Sequence, residues 1–333
     1  MSNNKSKPPY NAGRRIRLLA LGIVVAGIGY SYGWYWLAGR VGSEADRMVA
    51  EEQARGTTVD CADREVRGYP FRLEVFCTSF DVARPADGLT VKAGGFRTAA
   101  QVYEPRNIIA ELDSPVTVTS DIAGAMKFDW TLAQASAVLD DPVPQHASAV
   151  VDDLTVAVAG IERALAAAHA ETHLRRVDDN VDLAWRYEGL VIDARLAGGR
   201  HLPALSGDAN LTITNGVALA AEGVPSLRGV SGEIHRMALL LTPERGLLVS
   251  GPFEIGMDGR VNATLDVFLV DPAGFAQEMK PVFPEYSTQF DAFAAMPPKA
   301  GPDGTPELKL PVRITDGKAV IGFLPVGTIP PID

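Results

Sequence analysis

The sequence predicts an α+β, mainly β protein: curved antiparallel sheets of short hairpins, packed by one long helix and preceded by one N-terminal transmembrane helix. Three observations carry this expectation. Segments that alternate apolar and polar residues recur at a spacing of about ten residues, which favours antiparallel meanders over βαβ units. Asp-Gly pairs, which suit tight hairpins, stand at Asp87-Gly88, Asp258-Gly259, Asp303-Gly304 and Asp316-Gly317. A long uncharged run precedes all of these near the start of the chain.

Of the 333 residues, 47 % are hydrophobic and 22 % charged. That is the balance of a folded chain, not of a disordered chain, a collagen or a coiled-coil rod. A net charge of −10 argues against a nucleic-acid partner. The charge is unevenly placed: Lys5, Lys7, Arg14, Arg15 and Arg17 fall in the first seventeen residues, which contain no acid. Residues 1–15 therefore read as a basic cytoplasmic tip.

Residues 16–38 read as the transmembrane helix. After Arg17 the run carries no charge for about 20 residues, enough to cross a hydrocarbon core of roughly 30 Å. Tyr30, Tyr32, Trp34, Tyr35 and Trp36 gather at its far end, where amphipathic rings favour the headgroup layer. Bulky Trp36 stands where a signal-peptide cleavage site needs a small residue, so the anchor is expected to stay uncleaved. Gly29 and Gly33 form a G-x-x-x-G spacing that would let two membrane helices approach closely. The chain is thus placed in the inner (cytoplasmic) membrane as a single-pass protein, its bulk periplasmic.

Residues 39–56 read as a short stalk helix. Ser43 is its cap, Asp46 the capping-box acid and Gly56 its end, with Gly39 and Gly42 as hinges. Residues 57–333 form the β-rich domain, as two lobes meeting near 160–180.

Cys61 and Cys77, the only cysteines, lie on the oxidising side and are expected to pair. They are symmetric about Tyr69 in the turn signal Gly68-Tyr69-Pro70. A hairpin centred there would place the two sulfurs opposite one another, but it would also set Asp63, Glu65 and Arg67 against Val75, Leu73 and Phe71. Either a bulge shifts that register or Cys61 precedes its strand.

Beyond Phe71, strand texture recurs up to Ala159, as in Val116-Thr-Val-Thr and Leu154-Thr-Val-Ala-Val. The alanine-rich stretch Ile161–Val177 is expected to be the long helix, with Ile161, Leu165, Ala168 and Leu174 on its apolar side. Strands resume from Val181. Helical turns are expected over Pro272–Met279 and Tyr286–Ala295, a loop over Pro297–Pro306, and a closing hairpin about Asp316-Gly317.

The order of a basic tip, one membrane helix, a cysteine, Gly68-Tyr69-Pro70-Phe71-Arg72-Leu73 and a second cysteine resembles a known family. So do the alanine-rich stretch ending His173-Leu174-Arg175 and the closing Asp316-Gly317-Lys318-Ala319-Val320-Ile321-Gly322-Phe323-Leu324-Pro325-Val326-Gly327. The resemblance, from about Ile16 to the end, is to alphaproteobacterial single-pass membrane proteins catalogued as a domain of unknown function. The closing segment is also similar to AsmA-like envelope proteins. This likeness implies an exported β-rich domain associated with lipid handling and outer-membrane assembly.

The residues nominate no catalyst, cofactor or metal site. On a helix His169 and His173 would share a face, but Glu171 would point about 200° away, and no third ligand is evident. Asp140-Asp141, Asp152-Asp153 and Asp178-Asp179 read as solvated turn residues, and no G-x-S-x-G, S-x-x-K or P-loop occurs. The expectation is a non-enzymatic protein that binds lipid or supports envelope assembly, with the bilayer, a lipid ligand or an envelope protein as partner. The alternative is a protein–protein scaffold of the envelope without lipid.

Overall fold

The structure, a computed structural model, describes residues 12–121, 124–221, 226–301, 304–321 and 324–332. Most of the basic tip, Asp303, and Gly322 and Phe323 of the closing hairpin lie outside these.

One helix, α1 (Ala12–Ala54), takes in both the expected span and the expected stalk. Gly39 and Gly42 do not interrupt it, so they are not hinges: the residues around them are good helix formers, and an isolated glycine costs only about 1 kcal/mol. The apolar first part of α1 is exposed, and is long and apolar enough to cross a membrane.

The remainder is one continuous antiparallel sheet. Its first strands are β1 (Thr58–Cys61), β2 (Glu65–Arg67), β3 (Arg72–Cys77), β4 (Phe80–Arg84) and β5 (Leu89–Ala93). There follow β6 (Phe96–Gln101), β7 (Glu104–Leu112), β8 (Val116–Ser120), β9 (Gly124–Asp129) and β10 (Leu132–Val138). Three long strands come next: β11 (His146–Val158), β12 (Ile161–Val177) and β13 (Asn180–Ile192). Then come β14 (Leu205–Ile213), the short helix α2 (Gly216–Ala221), β15 (Ser231–Thr242), β16 (Arg245–Ile255) and β17 (Val261–Val270). Helices α3 (Pro272–Met279) and α4 (Ser287–Ala295) fall where they are expected. The chain closes with β18 (Lys299–Ala300), β19 (Pro306–Thr315), β20 (Lys318–Ile321) and β21 (Leu324–Thr328).

Strand β11 is the branch point. Its first half pairs with β10 and leads through β7, β6 and β3 to β2. Its second half pairs with β9 and leads through β8, β5 and β4 to β1. The two branches meet again at their outer ends. The disulfide Cys61–Cys77 joins β1 to β3 with Cα atoms 5.3 Å apart, and the rings of Phe80 and Phe96 pack at 5.5 Å. From the other edge of β11 the sheet runs in chain order through β12 to β17, then β19 and β20.

Two expectations are corrected. Ile161–Val177 is not a helix but the longest strand. It is hydrogen-bonded to β11 along one edge and β13 along the other, between turns at Gly160 and Asp178, both with φ above +50°. Alanine propensity is a weak preference, and two full-length partners outweigh it. A signal of strand is present in the residues: Arg163, His169, Glu171, His173 and Arg175 alternate with Ala164, Ala168, Ala170, Thr172 and Leu174.

The hairpin register also differs. Val66 stands opposite Val75 and Arg67 opposite Glu74, which are paired at 2.9 Å. Cys61 belongs to β1, opposite Phe80, so the disulfide links two branches rather than two arms of one hairpin. Burial decides this: the shift moves Val66 onto the apolar side.

Helix α1 is docked to the sheet. Trp34 (4 % exposed), Ala38 and Leu73 form a buried cluster flanked by Leu37, Val41, Val66 and Val102. The Trp34 indole N–H donates to the Arg72 carbonyl at 2.9 Å. Trp34 is therefore committed to the domain instead of lying free at a headgroup layer. A side chain this large repays such burial by roughly 2–3 kcal/mol.

Candidate functional site

Side chains alternate across a strand, so a register carried through many strands creates rows that cross the sheet. One row reads Val75, Thr98, Ala110, Ala135, Ala149, Thr172, Trp185, Ala209, Met237, Val249, Val267 and Leu310. Each member sits opposite the next, and none is charged. A neighbouring row on the same face reads Leu73, Ala100, Ile108, Ala137, Ala147, Leu174, Leu183 and Leu211. From β3 to β14 the two rows carry no charge, with Thr98 and Thr172 their hydroxyl-bearing members.

The opposite face is polar over the same strands. Gln134 and Arg97 both hold Glu111, and Ser136 and Ser148 share a hydrogen bond of 2.8 Å. Further along, Arg175 pairs with Asp182 at 2.9 Å and Arg236 with Asp208 at 2.7 Å. Such half-exposed pairs add little stability; they make one face wettable and leave the other apolar.

Among the described residues no second layer closes the apolar face between β7 and β13. Ala135 and Thr172 are exposed there, and Ile108, Ala137, Ala147, Ala149 and Leu174 only half-buried. They floor a trough of about 400 Å³ that Leu183 completes. A second cavity of about 530 Å³ lies on the other face of the same strands, where Ala99, Ile109, Ser136 and Val138 line it. That cavity lies at the strand ends and is rimmed by Arg72, Gln101, Glu104, Asn107 and His146. Alanine is depleted in strands because it packs little against its neighbours; a floor of five alanines keeps the trough deep. Both volumes fall in the range of small-molecule pockets.

The trough crosses five strands, about 19 Å at roughly 4.8 Å per strand. A lipid tail in one leaflet, half of a core about 30 Å thick, spans about 15 Å. One tail therefore fits along it.

The histidines are arranged differently from the expectation. On a strand His169, Glu171 and His173 share the polar face, where a helix would have turned Glu171 away. His169 Nδ1 lies 2.6 Å from Asp152, and Glu171 lies 3.5 Å from His173. The hydrogen bond with Asp152 raises the His169 pKa. Asp152 is thus a partner of His169 and not a solvated turn residue. Among the described residues no group of three or more side chains is placed to hold a metal ion.

A hydroxyl–histidine contact involves Thr212, whose Oγ1 donates to Asp182 at 2.7 Å and lies 2.8 Å from His235 Nε2. In a hydrolytic triad the acid orients the imidazole; here it binds the hydroxyl instead, the reverse of what deprotonating the oxygen requires. A further cavity lies between the 198–203 loop and the end of α3, with Arg200 paired to Glu285 at 2.7 Å. Gly29 and Gly33 are exposed, with nothing within 4 Å of where a Cβ would stand.

The amphipathic sheet was not legible beforehand, because its signal is a register, which no single segment contains. The alternation in β12 and the alanine doublets of β10 and β11 were the traces of it.

Fold and site together define a class: a mainly β protein with an N-terminal helix of membrane length and an open sheet, polar on one face and apolar on the other. The chain belongs to the uncharacterized protein family conserved in bacteria, DUF2125, whose family model matches residues 34–330. No curated protein and no solved structure matches it.

Proposed function

We propose that the chain is a non-enzymatic, single-pass protein of the inner membrane. Its basic tip is cytoplasmic, and its periplasmic sheet holds the acyl tail of a lipid in lipid handling or envelope assembly. The observation that carries this reading is the open trough over Ile108, Ala110, Ala135, Ala137, Ala147, Ala149 and Leu174. An apolar strip left uncovered on a sheet is a candidate binding surface. A tail supplies what it lacks, an apolar partner without hydrogen-bonding needs.

Other features agree. Arg14, Arg15 and Arg17 favour a cytoplasmic start, and a disulfide suits an oxidising compartment. The likeness of the closing segment to AsmA-like envelope proteins points the same way. The test is to extract the full chain in mild detergent and analyse bound lipid by mass spectrometry beside an unrelated single-pass protein. Lipid in near-stoichiometric amount, depleted by charges placed in the trough, is expected. Lipid no richer than in the control overturns the reading, and a protein crosslinked along the trough in its place favours the envelope scaffold.

A further inference from the structure

The turn between β2 and β3 returns to α1 at the level of its apolar run. The Tyr30 hydroxyl donates to the Pro70 carbonyl at 2.5 Å, and the hydroxyls of Ser31 and Tyr69 lie 2.7 Å apart. The Tyr69 ring stands edge-on to Trp34 at 5.5 Å and stacks on Tyr35 at 6.0 Å. With the Trp34–Arg72 hydrogen bond, these contacts fix the turn against residues 30–35 of the helix.

Those helix positions set a depth. The charges that bound the run are Arg17 and Arg40. A hydrocarbon core needs about 20 helical residues, so it must lie within residues 18–39. At either limit of that placement, Tyr30, Ser31 and Trp34 fall inside it, the first by about 10 Å or more at 1.5 Å per residue. A turn bonded to them cannot stand in open water.

The turn is built for such a place. Water normally solvates the carbonyls of an exposed turn, but here the protein takes four of them. Gly68 C=O accepts from Arg72 N–H at 2.9 Å, Phe71 C=O from Val102 N–H at 3.1 Å, Pro70 C=O from Tyr30 and Arg72 C=O from Trp34. Pro70 has no N–H to satisfy. Gly68, at φ +105°, permits the tight return; a Cβ there would lie 2.9 Å from the Arg72 carbonyl oxygen. Beside the turn, Phe71 (65 % exposed) and Tyr103 (70 % exposed) present aromatic rings outward. Paired backbone and exposed rings are what a lipid interface accepts.

We propose that the Tyr69–Phe71 turn and Tyr103 form a second membrane contact, immersed in the leaflet on the domain's side. The partner is the lipid bilayer itself. The proposal rests on the reading of α1 as a membrane anchor, and its test separates the two.

The full chain is reconstituted in phosphatidylcholine vesicles whose lipids are brominated at a shallow or a deep acyl position. Quenching is read as the difference from the native protein. Phe71→Trp reports the turn, Ile23→Trp the cytoplasmic half of the span, and Met257→Trp, at a residue 77 % exposed, the distant surface. The expected result is strong loss of the added emission at positions 71 and 23, and none at 257. Quenching at 23 without quenching at 71 overturns the membrane-contact proposal and leaves the anchor intact. No quenching at 23 overturns the anchor, and the second contact with it.

Discussion

Ala135→Asp tests the trough most directly. Ala135 is exposed on the floor of β10, between Ala110 and Ala149 on the neighbouring strands, so a carboxylate there can stay hydrated and the fold should tolerate it. A tail lying along the row would have to leave about two or three methylenes in water around that charge. At about 0.8 kcal/mol each this is about 2 kcal/mol, or roughly a thirtyfold loss of affinity. The control is Ile109→Asp, one residue earlier on β7 and on the opposite face, where Ile109 is 49 % exposed. Binding is measured by titrating the purified full chain with a fluorescent fatty acid. Ala135→Asp should weaken binding by that factor and Ile109→Asp should leave it unchanged. Equal effects from both, or none from Ala135→Asp, would refute the assignment of the apolar face.

Three further outcomes follow from the geometry. Replacing Cys61 and Cys77 together by serine frees a loop with a sequence separation of 16 and should cost about 3 kcal/mol in the chain-entropy model, read as a lower denaturant midpoint. The raised pKa of His169 means that its ion pair with Asp152 contributes fully below the ordinary histidine value of 6.5 and is lost as pH rises through the folded-state value. Native protein should therefore lose thermal stability over that window relative to His169→Gln, in melting curves taken at closely spaced pH. Gly207→Ala would push a Cβ to within 2.5 Å of the Ala238 carbonyl oxygen and 2.7 Å of the Tyr187 ring; about 1–3 kcal/mol of destabilisation is expected from overpacking, read as a lower denaturant midpoint.

Local signals carried much of the fold. The apolar run of α1, the alternation in β3 and β19, the two short helices after β17 and the cysteine pairing all declare themselves within a few residues. Ile161–Val177 misled because alanine, the best helix former, is also the smallest apolar side chain that can floor an open sheet. Trp34 misled for a related reason: an aromatic residue near a membrane boundary is equally suited to a headgroup layer and to a docked sheet edge. The β2–β3 register contradicted the simple symmetry of the cysteines, and the misfit of Glu65 and Arg67 against apolar residues was the sign of it. The trough was out of reach, since it exists only once Ala110, Ala135, Ala149 and Thr172, up to sixty residues apart, are set side by side.

The unbroken helix bears on how the molecule can move. A rod of 43 residues, about 65 Å long at 1.5 Å per residue, is clasped by the sheet through Trp34 instead of ending in a slack tether. Such a mast gives the domain one posture. On the lipid-holding reading proposed above, a bound tail would move along the strands instead of being carried by a swinging domain.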